Sequence, residues 1–361
     1  MRIVSLTEMS KRQSLTTRVS LSGLLAAAGT IIFGATLAGF AGRLWWILDL
    51  FAHFQIQYLL SISLVILLLL ALKRFKLASI FVVCFAFNIA CVLPYYWPVT
   101  NHNSETNHSS PSLRAIALNV NTANEHYELV NKLILEHKPD IFVLTEVNAA
   151  WIKAMESLHP TYPHEKCISR EDNFGIALYS RLPFTKCDVV ELGQAGVPSI
   201  VAEFDIQQQR LTLLGTHALP PIDSAYSWFR NNQIEAVAAY LGSVTGPKIL
   251  LGDLNMTPWS PYFGELLSTA KLVDSSSGRG LELTWPTNHI WIARIPIDFC
   301  LVSKEITVTG HKIGADVGSD HFPLIVEFTL VESTKLLGRH RCSPRTVLAR
   351  CTERVDYFKA D

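Results

Sequence analysis

At 361 residues the chain exceeds one average domain and admits one or two folded units. Hydrophobic residues make up 49% of it against 17% charged, with a mean hydropathy of +0.25, which excludes both a disordered, charge-rich chain and a plain water-soluble one. The formal net charge is zero and the pI about 7.2, so no bulk basic footprint for nucleic acid is present, although a local patch can sit inside a neutral total.

The apolar excess lies at the front. Residues 19–41 carry no charge and are long enough for a hydrocarbon core that needs about 20 apolar residues. Further apolar segments cover about 54–72 and 77–97. They predict an N-terminal membrane anchor of three transmembrane helices over residues 1–97. A cleaved signal peptide is the rival reading of the first segment, because Lys11, Arg12 and Arg18 precede it; two further segments follow at once, which favours an anchor over that and over a buried soluble hairpin. Those three cations and Lys73, Arg74 and Lys76 fall on one side, against Arg43 alone on the other. The bias predicts that everything after Trp97 lies outside the cytoplasm. Residues 49–57 read as an interfacial turn, with Trp45 and Trp46 near the headgroups and with Asp49 and His53 solvated. Asn88, inside the third segment, is expected to bond a neighbouring helix. None of the seven cysteines forms a close pair of zinc-ligand type, and a Cys342–Cys351 disulfide is left open.

Residues 98–112 turn to Asn, His, Ser, Thr and Pro and predict a polar linker. A globular unit follows over 113–330. Strands are predicted at 114–120, 140–146, 175–180, 199–206, 210–217, 249–251, 297–302 and 324–328, with helices at 127–137 and 225–241. The pair 199–206 and 210–217 reads as a hairpin, so the sheet is at least partly antiparallel. The tail, 331–361, is basic through Lys335, Arg339, Arg341, Arg345, Arg350 and Arg354; it suits either anionic headgroups or a solvated tail.

Chemistry centres on the stretch 248–258. Ile249, Leu250 and Leu251 read as a buried strand that stops at Gly252, after which Asp253 and Asn255 offer an anionic oxygen and an amide. An ordinary turn is the competing reading. Other apolar strands end in the same way: in Asn119 and Asn121, in Glu146, in Thr216 and His217, and next to Asp298, with Ser319, Asp320 and His321 ahead of the last strand. Taken singly, His217 also reads as a core histidine, Asn119 as a strand-end cap and Glu146 as a surface acid. Neighbouring strand ends of this kind would make one site. Oxygen-rich ligands without a cysteine cluster select a hard cation, Mg²⁺ or Mn²⁺ rather than zinc, and the usual partner of such a site is a phosphate.

The ordered set Asn119-Val120-Asn121, Leu144-Thr145-Glu146-Val147, Thr216-His217, Gly252-Asp253-Leu254-Asn255, Thr284-Trp285, Ile297-Asp298-Phe299 and Ser319-Asp320-His321-Phe322-Pro323 resembles the endonuclease/exonuclease/phosphatase superfamily, the DNase I-like metal-dependent phosphoesterases. Gly175 to Arg181, and Arg230 with Gln233, are weaker echoes. The resemblance spans about 113–328. It implies an α+β fold, a four-layer α/β/β/α sandwich, with one metal-dependent phosphoesterase site at the sheet edges. It further implies that Glu146 binds Mg²⁺ with Asn119 close by and Asp320 at that or a second metal position. Asp253 would orient or deprotonate the attacking water, and Asn255 would hold it or a phosphate oxygen. His321, oriented by Asp298, would bond the scissile phosphate, and His217 would stabilise the phosphate or assist the leaving oxygen. Two positions depart from the pattern. Thr145 stands where glutamine is common, and Asn121 stands where many nucleases have aspartate or arginine, which bears on substrate.

The expectation is therefore a membrane-anchored phosphodiester hydrolase of nuclease/phosphatase type, multi-pass, with its catalytic domain extracytoplasmic. Its partners would be the lipid bilayer and a phosphate ester: nucleic acid, a phospholipid headgroup or a small phosphodiester. No protein partner is inferable. The alternatives are a phospholipid phosphodiesterase of sphingomyelinase type and a non-catalytic phosphate-binding module, the second disfavoured because such a module has no need of a water-activating set.

Overall fold

Ser20 opens the first helix by accepting the Gly23 amide at 3.1 Å, and the uncharged run that follows forms α1 (Leu21–Phe40) in a computed structural model that describes residues 20–97 and 111–331. Helices α2 (Trp46–Ala52) and α3 (Gln55–Ala71) follow, set at 63° to one another across a break at His53 and Phe54, and then α4 (Phe75–Tyr96). Helices α1 and α4 are each long and apolar enough to cross a membrane, and the bent pair makes a third candidate only if α2 and α3 count as one. The expected span at 54–72 is α3, whose 17 residues reach about 26 Å at 1.5 Å per residue, short of a ~30 Å hydrocarbon core. Asn88 bonds as expected, donating to Thr36 Oγ1 at 3.1 Å and to Cys84 O at 2.8 Å. The basic residues Lys11, Arg12 and Arg18, most of the linker (98–110), and the basic tail with Cys342 and Cys351 (332–361) lie outside the described residues.

The globular unit contains β1 (Leu113–Asn119), α5 (Tyr127–His137), β2 (Ile141–Thr145), α6 (Ala149–Met155), β3 (His164–Ile168), β4 (Ile176–Ser180), β5 (Lys186–Glu191), β6 (Pro198–Ile206) and β7 (Gln209–His217). It continues with α7 (Ser224–Ser243), β8 (Lys248–Asp253), α8 (Pro261–Ala270), β9 (Leu272–Asp274), β10 (Asp298–Ser303), β11 (Ile306–Ile313) and β12 (Leu324–Leu330). The strands form two six-stranded sheets, ordered β11-β12-β1-β2-β4-β3 and β5-β6-β7-β8-β10-β9. Each sheet has one parallel pair at its centre, β1 with β2 and β7 with β8, because α5 and α7 supply the crossovers; the other pairings are antiparallel.

Side-chain alternation builds the layers. Ile249 and Leu251 point into the space between the sheets with Ala117, Val143, Leu178, Ile200 and Leu213, while Leu250 points outward beneath Val237, Leu241 and Leu266 of α7 and α8. On the other sheet, Ile116 and Leu118 meet Val130, Ile134 and Trp151 of α5 and α6. Both faces of the central strands are thus buried, and the result is an α/β/β/α sandwich.

The two parts pack together. Ile56 and Val92 of the helices meet Leu281, and Trp259 stands edge-on to Tyr95. This corrects the expectation that Asp49 and His53 are solvated: they are 1% and 6% exposed, because α7 and the chain between β8 and α8 cover the break between α2 and α3.

Gly252 sits at φ +145°, where an added β-carbon would run into Thr216 O across the β7–β8 pairing. Gly252→Ala is expected to lower stability by about 3 kcal/mol in denaturant unfolding, because the two strands must part to admit the methyl group.

Candidate active site

Register alone brings three of the polar strand ends into one row. His217 pairs with Asp253 in the parallel ladder, and Asp253 with Asp298 in the antiparallel one. In the facing sheet Asn119 pairs with Thr145, so Glu146 is the first residue past that row. The two rows meet: Asn119 Nδ2 donates to Glu146 Oε1 at 2.8 Å and to Asp253 Oδ2, in the opposite sheet, at 3.2 Å.

Past the strands, three site residues take up left-handed backbone: Asn121 at φ +58°, Glu146 at +61° and Asn255 at +48°. Asparagine tolerates this conformation; glutamate adopts it far less often. Glu146 is held there by Thr122 Oγ1, which donates to its carbonyl at 3.0 Å, and by the next amide, Val147 N, which donates to Gly175 O at 3.2 Å. Asn255 N donates to Asp253 Oδ1 at 2.8 Å, which turns the chain and sends the Asn255 amide to Ala218 O at 2.8 Å and to within 3.3 Å of His217 Nε2.

The last motif closes the site. Ser319 Oγ donates to Asn119 O at 2.6 Å and accepts the His321 amide at 3.1 Å. His321 Nδ1 lies 2.8 Å from Asp298 Oδ2, and its Nε2 is 3.8 Å from Asp253 Oδ2. Asp320 accepts from Asn121 Nδ2 at 2.9 Å and from Trp285 Nε1 at 3.0 Å.

Four carboxylates (Glu146, Asp253, Asp298 and Asp320) thus share the site with two histidines. Among the described residues no lysine or arginine ion-pairs with any of the four. Burial, and then the Asp298 charge, push the Asp253 carboxyl up to about 6, and burial also raises Glu146. Burial works to lower His321, but Asp298, Asp253 and Asp320 outweigh it and raise it to about 10; burial lowers His217. Asp298 Oδ1 is buried without a partner, and ligand atoms of Asp253, Asp298 and His321 lie within 4.8 Å of one another. Unpaired negative charge on oxygen donors is what a hard divalent cation fits.

All nine residues expected at a site (Asn119, Asn121, Glu146, His217, Asp253, Asn255, Asp298, Asp320 and His321) come together. Reasoning from sequence missed the hydroxyl support Thr122, and it gave no role to Ser319 or Trp285, whose motifs were the available signal. Gln233 stands behind the site, donating to Thr216 Oγ1 at 3.2 Å and to His217 O at 3.1 Å.

Two facing sheets with outer helices and polar strand ends at one edge define a DNase I-like α+β fold. A family model described as the Endonuclease/Exonuclease/phosphatase family matches residues 116–321. The match takes in more than half of the chain, and the chain belongs to that family. Among solved structures, D. rerio TDP2 complexed with single strand DNA product is 17% identical with a TM-score of 0.53, covering 60% of this chain and 99% of that one. The human Nocturnin catalytic domain with bound sulfate anion is 18% identical with a TM-score of 0.51, covering 62% and 96%. An endonuclease/exonuclease/phosphatase from Beutenbergia cavernae DSM 12333 is 19% identical with a TM-score of 0.50, covering 61% and 72%. At these identities the likeness is one of fold. No curated protein matches the sequence significantly.

Asn119 satisfies carboxylates from both sheets, so Asn119→Ala leaves Glu146 and Asp253 facing each other without the shared amide. In metal-free protein it is expected to cost about 1–3 kcal/mol, read by denaturant unfolding.

Proposed function

We propose that the chain is a membrane-anchored, Mg²⁺-dependent phosphoesterase that hydrolyses a phosphodiester by direct attack of an activated water, without a covalent intermediate. The observation that carries this reading is the Asp253 carboxylate, buried at the edge where both sheets end, 3.5 Å from His217 Nε2 and 3.8 Å from His321 Nε2. Glu146, Asn119 and Asp320 would hold Mg²⁺, with Mn²⁺ as its substitute, beside the close group of Asp253, Asp298 and His321, which this reading keeps for the water and the phosphate. When bound, the cation withdraws charge from the phosphate oxygens and makes a coordinated water more acidic. Asp253 takes the water's proton, and the Asn255 amide holds that water or a phosphate oxygen. Asp298 fixes the His321 ring through Nδ1, which leaves Nε2 to bond the scissile phosphate. His217 steadies the phosphate or the leaving oxygen, and Asn121 faces the substrate.

The anchor over 1–97 and the catalytic domain over 113–330 form the working unit in this reading. The domain packs where α1 ends, α2 lies and α4 ends, the end opposite the exposed Lys73, Arg74 and Lys76. That supports an extracytoplasmic domain.

One observation favours a phospholipid headgroup over nucleic acid or a small phosphodiester. Ile290, Trp291 and Ile292 are 72%, 62% and 36% exposed, in a loop tied to the head of α3 by Gln57 Nε2, which donates to Ile292 O at 2.9 Å and to Arg294 O at 3.0 Å. The same loop reaches the site, Thr287 N donating to Asp320 O at 2.9 Å. An apolar tip beside a membrane helix suits insertion at headgroup level.

The test is Mg²⁺-dependent hydrolysis by the full chain in lipid vesicles, on DNA, RNA, sphingomyelin, phosphoinositides and a bis-aryl phosphodiester. Asp253→Asn and His321→Ala are each expected to lower kcat by about 100-fold or more, and Trp291→Ala to slow hydrolysis only of vesicle lipids. Mg²⁺ binding with no turnover on any substrate would overturn the reading. For topology, a phosphatase reporter that works only outside the cytoplasm, fused after Leu330, is expected to be active, whereas activity only of a cytoplasmic reporter at that position would reverse the orientation.

A further inference from the structure

Between Glu8 and Glu105 the chain has a single acidic residue, Asp49. It lies on α2, 1% exposed, and pairs with Arg230 of α7, also 1% exposed. The arrangement leads straight to the site. Arg230 Nη1 donates to the carbonyl of Asn255 at 3.2 Å, and Ser260 Oγ donates to Asp49 Oδ1 at 2.9 Å. One carboxylate therefore holds both ends of the segment 255–260, the chain that leaves β8 two residues after Asp253. The middle is held from the same side: Thr257 N donates to His53 Nδ1, at the break after α2, at 3.3 Å, and Trp259 Nε1 to Cys91 O of α4 at 3.0 Å. Asp49 is held in turn, because α1 exits through Gly42, where an added β-carbon would lie 2.9 Å from Asp49 Cα.

We infer that Asp49 is a positioning residue for the catalytic site. Through Arg230 and Ser260 it fixes the segment that carries Asn255, so the site is fully assembled only while α2 is docked on the domain. A buried guanidinium that loses its carboxylate keeps its demand for a charged acceptor, and such a loss is far costlier than replacing the whole pair with apolar groups. Arg230 must then move toward water or another acceptor, and its bond to Asn255 O moves with it. Asn255 shares its turn with Asp253, so a shift of the segment reaches the proposed base. The effect on turnover rests on the hydrolytic reading above; the effect on the segment does not.

The experiment uses the full chain in lipid nanodiscs with two readouts: hydrogen exchange of the amides at 254–260 in metal-free protein, and kcat and KM on a bis-aryl phosphodiester with Mg²⁺. Asp49→Asn is expected to speed exchange in that segment and to lower kcat about tenfold with KM nearly unchanged. Ser260→Ala, a milder change that also serves if Asp49→Asn fails to fold, is expected to shift both in the same direction by less. The double variant Asp49→Leu with Arg230→Met is expected to recover the wild-type Tm but not kcat. Wild-type exchange and kcat in both Asp49→Asn and Ser260→Ala would overturn the inference, as would recovery of kcat together with Tm in the double variant. If the unaltered protein hydrolyses no phosphodiester, the phosphoesterase reading fails while the exchange data still decide whether Asp49 positions the segment.

Discussion

Negative charge gathered at the edge where both sheets end is the constraint around which the rest is arranged. Asp253 and Asp298 are brought there by a backbone ladder, Glu146 by the turn that ends another and Asp320 by the bend ahead of β12, not by attraction among themselves, and carboxylates at this spacing repel. The fold offsets the repulsion locally. Asn119 shares one amide between two acids of different sheets, Asn121 and Trp285 each give Asp320 a donor, and His321 supplies a positive charge against Asp298. Each device is a side chain held by its own backbone hydrogen bonds or by a strand, so the geometry survives the charge. The left-handed backbone at Glu146 belongs to the same arrangement: the buried ladder ends at Thr145, and the next residue must turn sharply to bring its carboxylate back to Asn119.

The central strands were legible because each is buried on both faces and reads as a continuous apolar run closed by polar residues. The four strands that sequence reasoning missed, β3, β5, β9 and β11, are the four sheet edges. Edges carry charges that blunt further pairing, as Lys186, Asp188 and Glu191 do in β5, and so lose the apolar signal that marks a strand. The nine site residues were readable for the same reason as the central strands, since each punctuates or follows a buried strand. Thr122 was not, and Ser319 was read in its motif without a role, because hydroxyl residues occur in most turns and only the meeting of β1, β2 and β12 gives these two a task.

Asp49 and His53 were misread for a different reason. Polar groups at the end of an apolar helix ordinarily face the headgroups, and nothing nearby in the chain contradicts that. The groups that bury Asp49 are Arg230 and Ser260, 181 and 211 residues away in sequence. Local pattern carries no information over that separation. An acid alone in a long apolar region was still a signal, because such a residue is expensive wherever it cannot reach water or a cation.

The packing of helices on domain changes what counts as the unit that holds the site. A tethered domain on a flexible linker would work the same when cut free, since its site would owe nothing to the tether. Here the segment after β8 is bonded to α2, to α4 and to an arginine whose charge α2 neutralises. Removing the helices would expose Leu281 and Trp259, leave Arg230 without its carboxylate, and strip the partners of Thr257 and Ser260. A buried cation without its partner destabilises its surroundings most where those surroundings are least regular, and this segment is a loop next to Asp253. The N-terminal helices therefore help to hold the site in shape, through Asp49, His53 and Cys91, and do more than set its location.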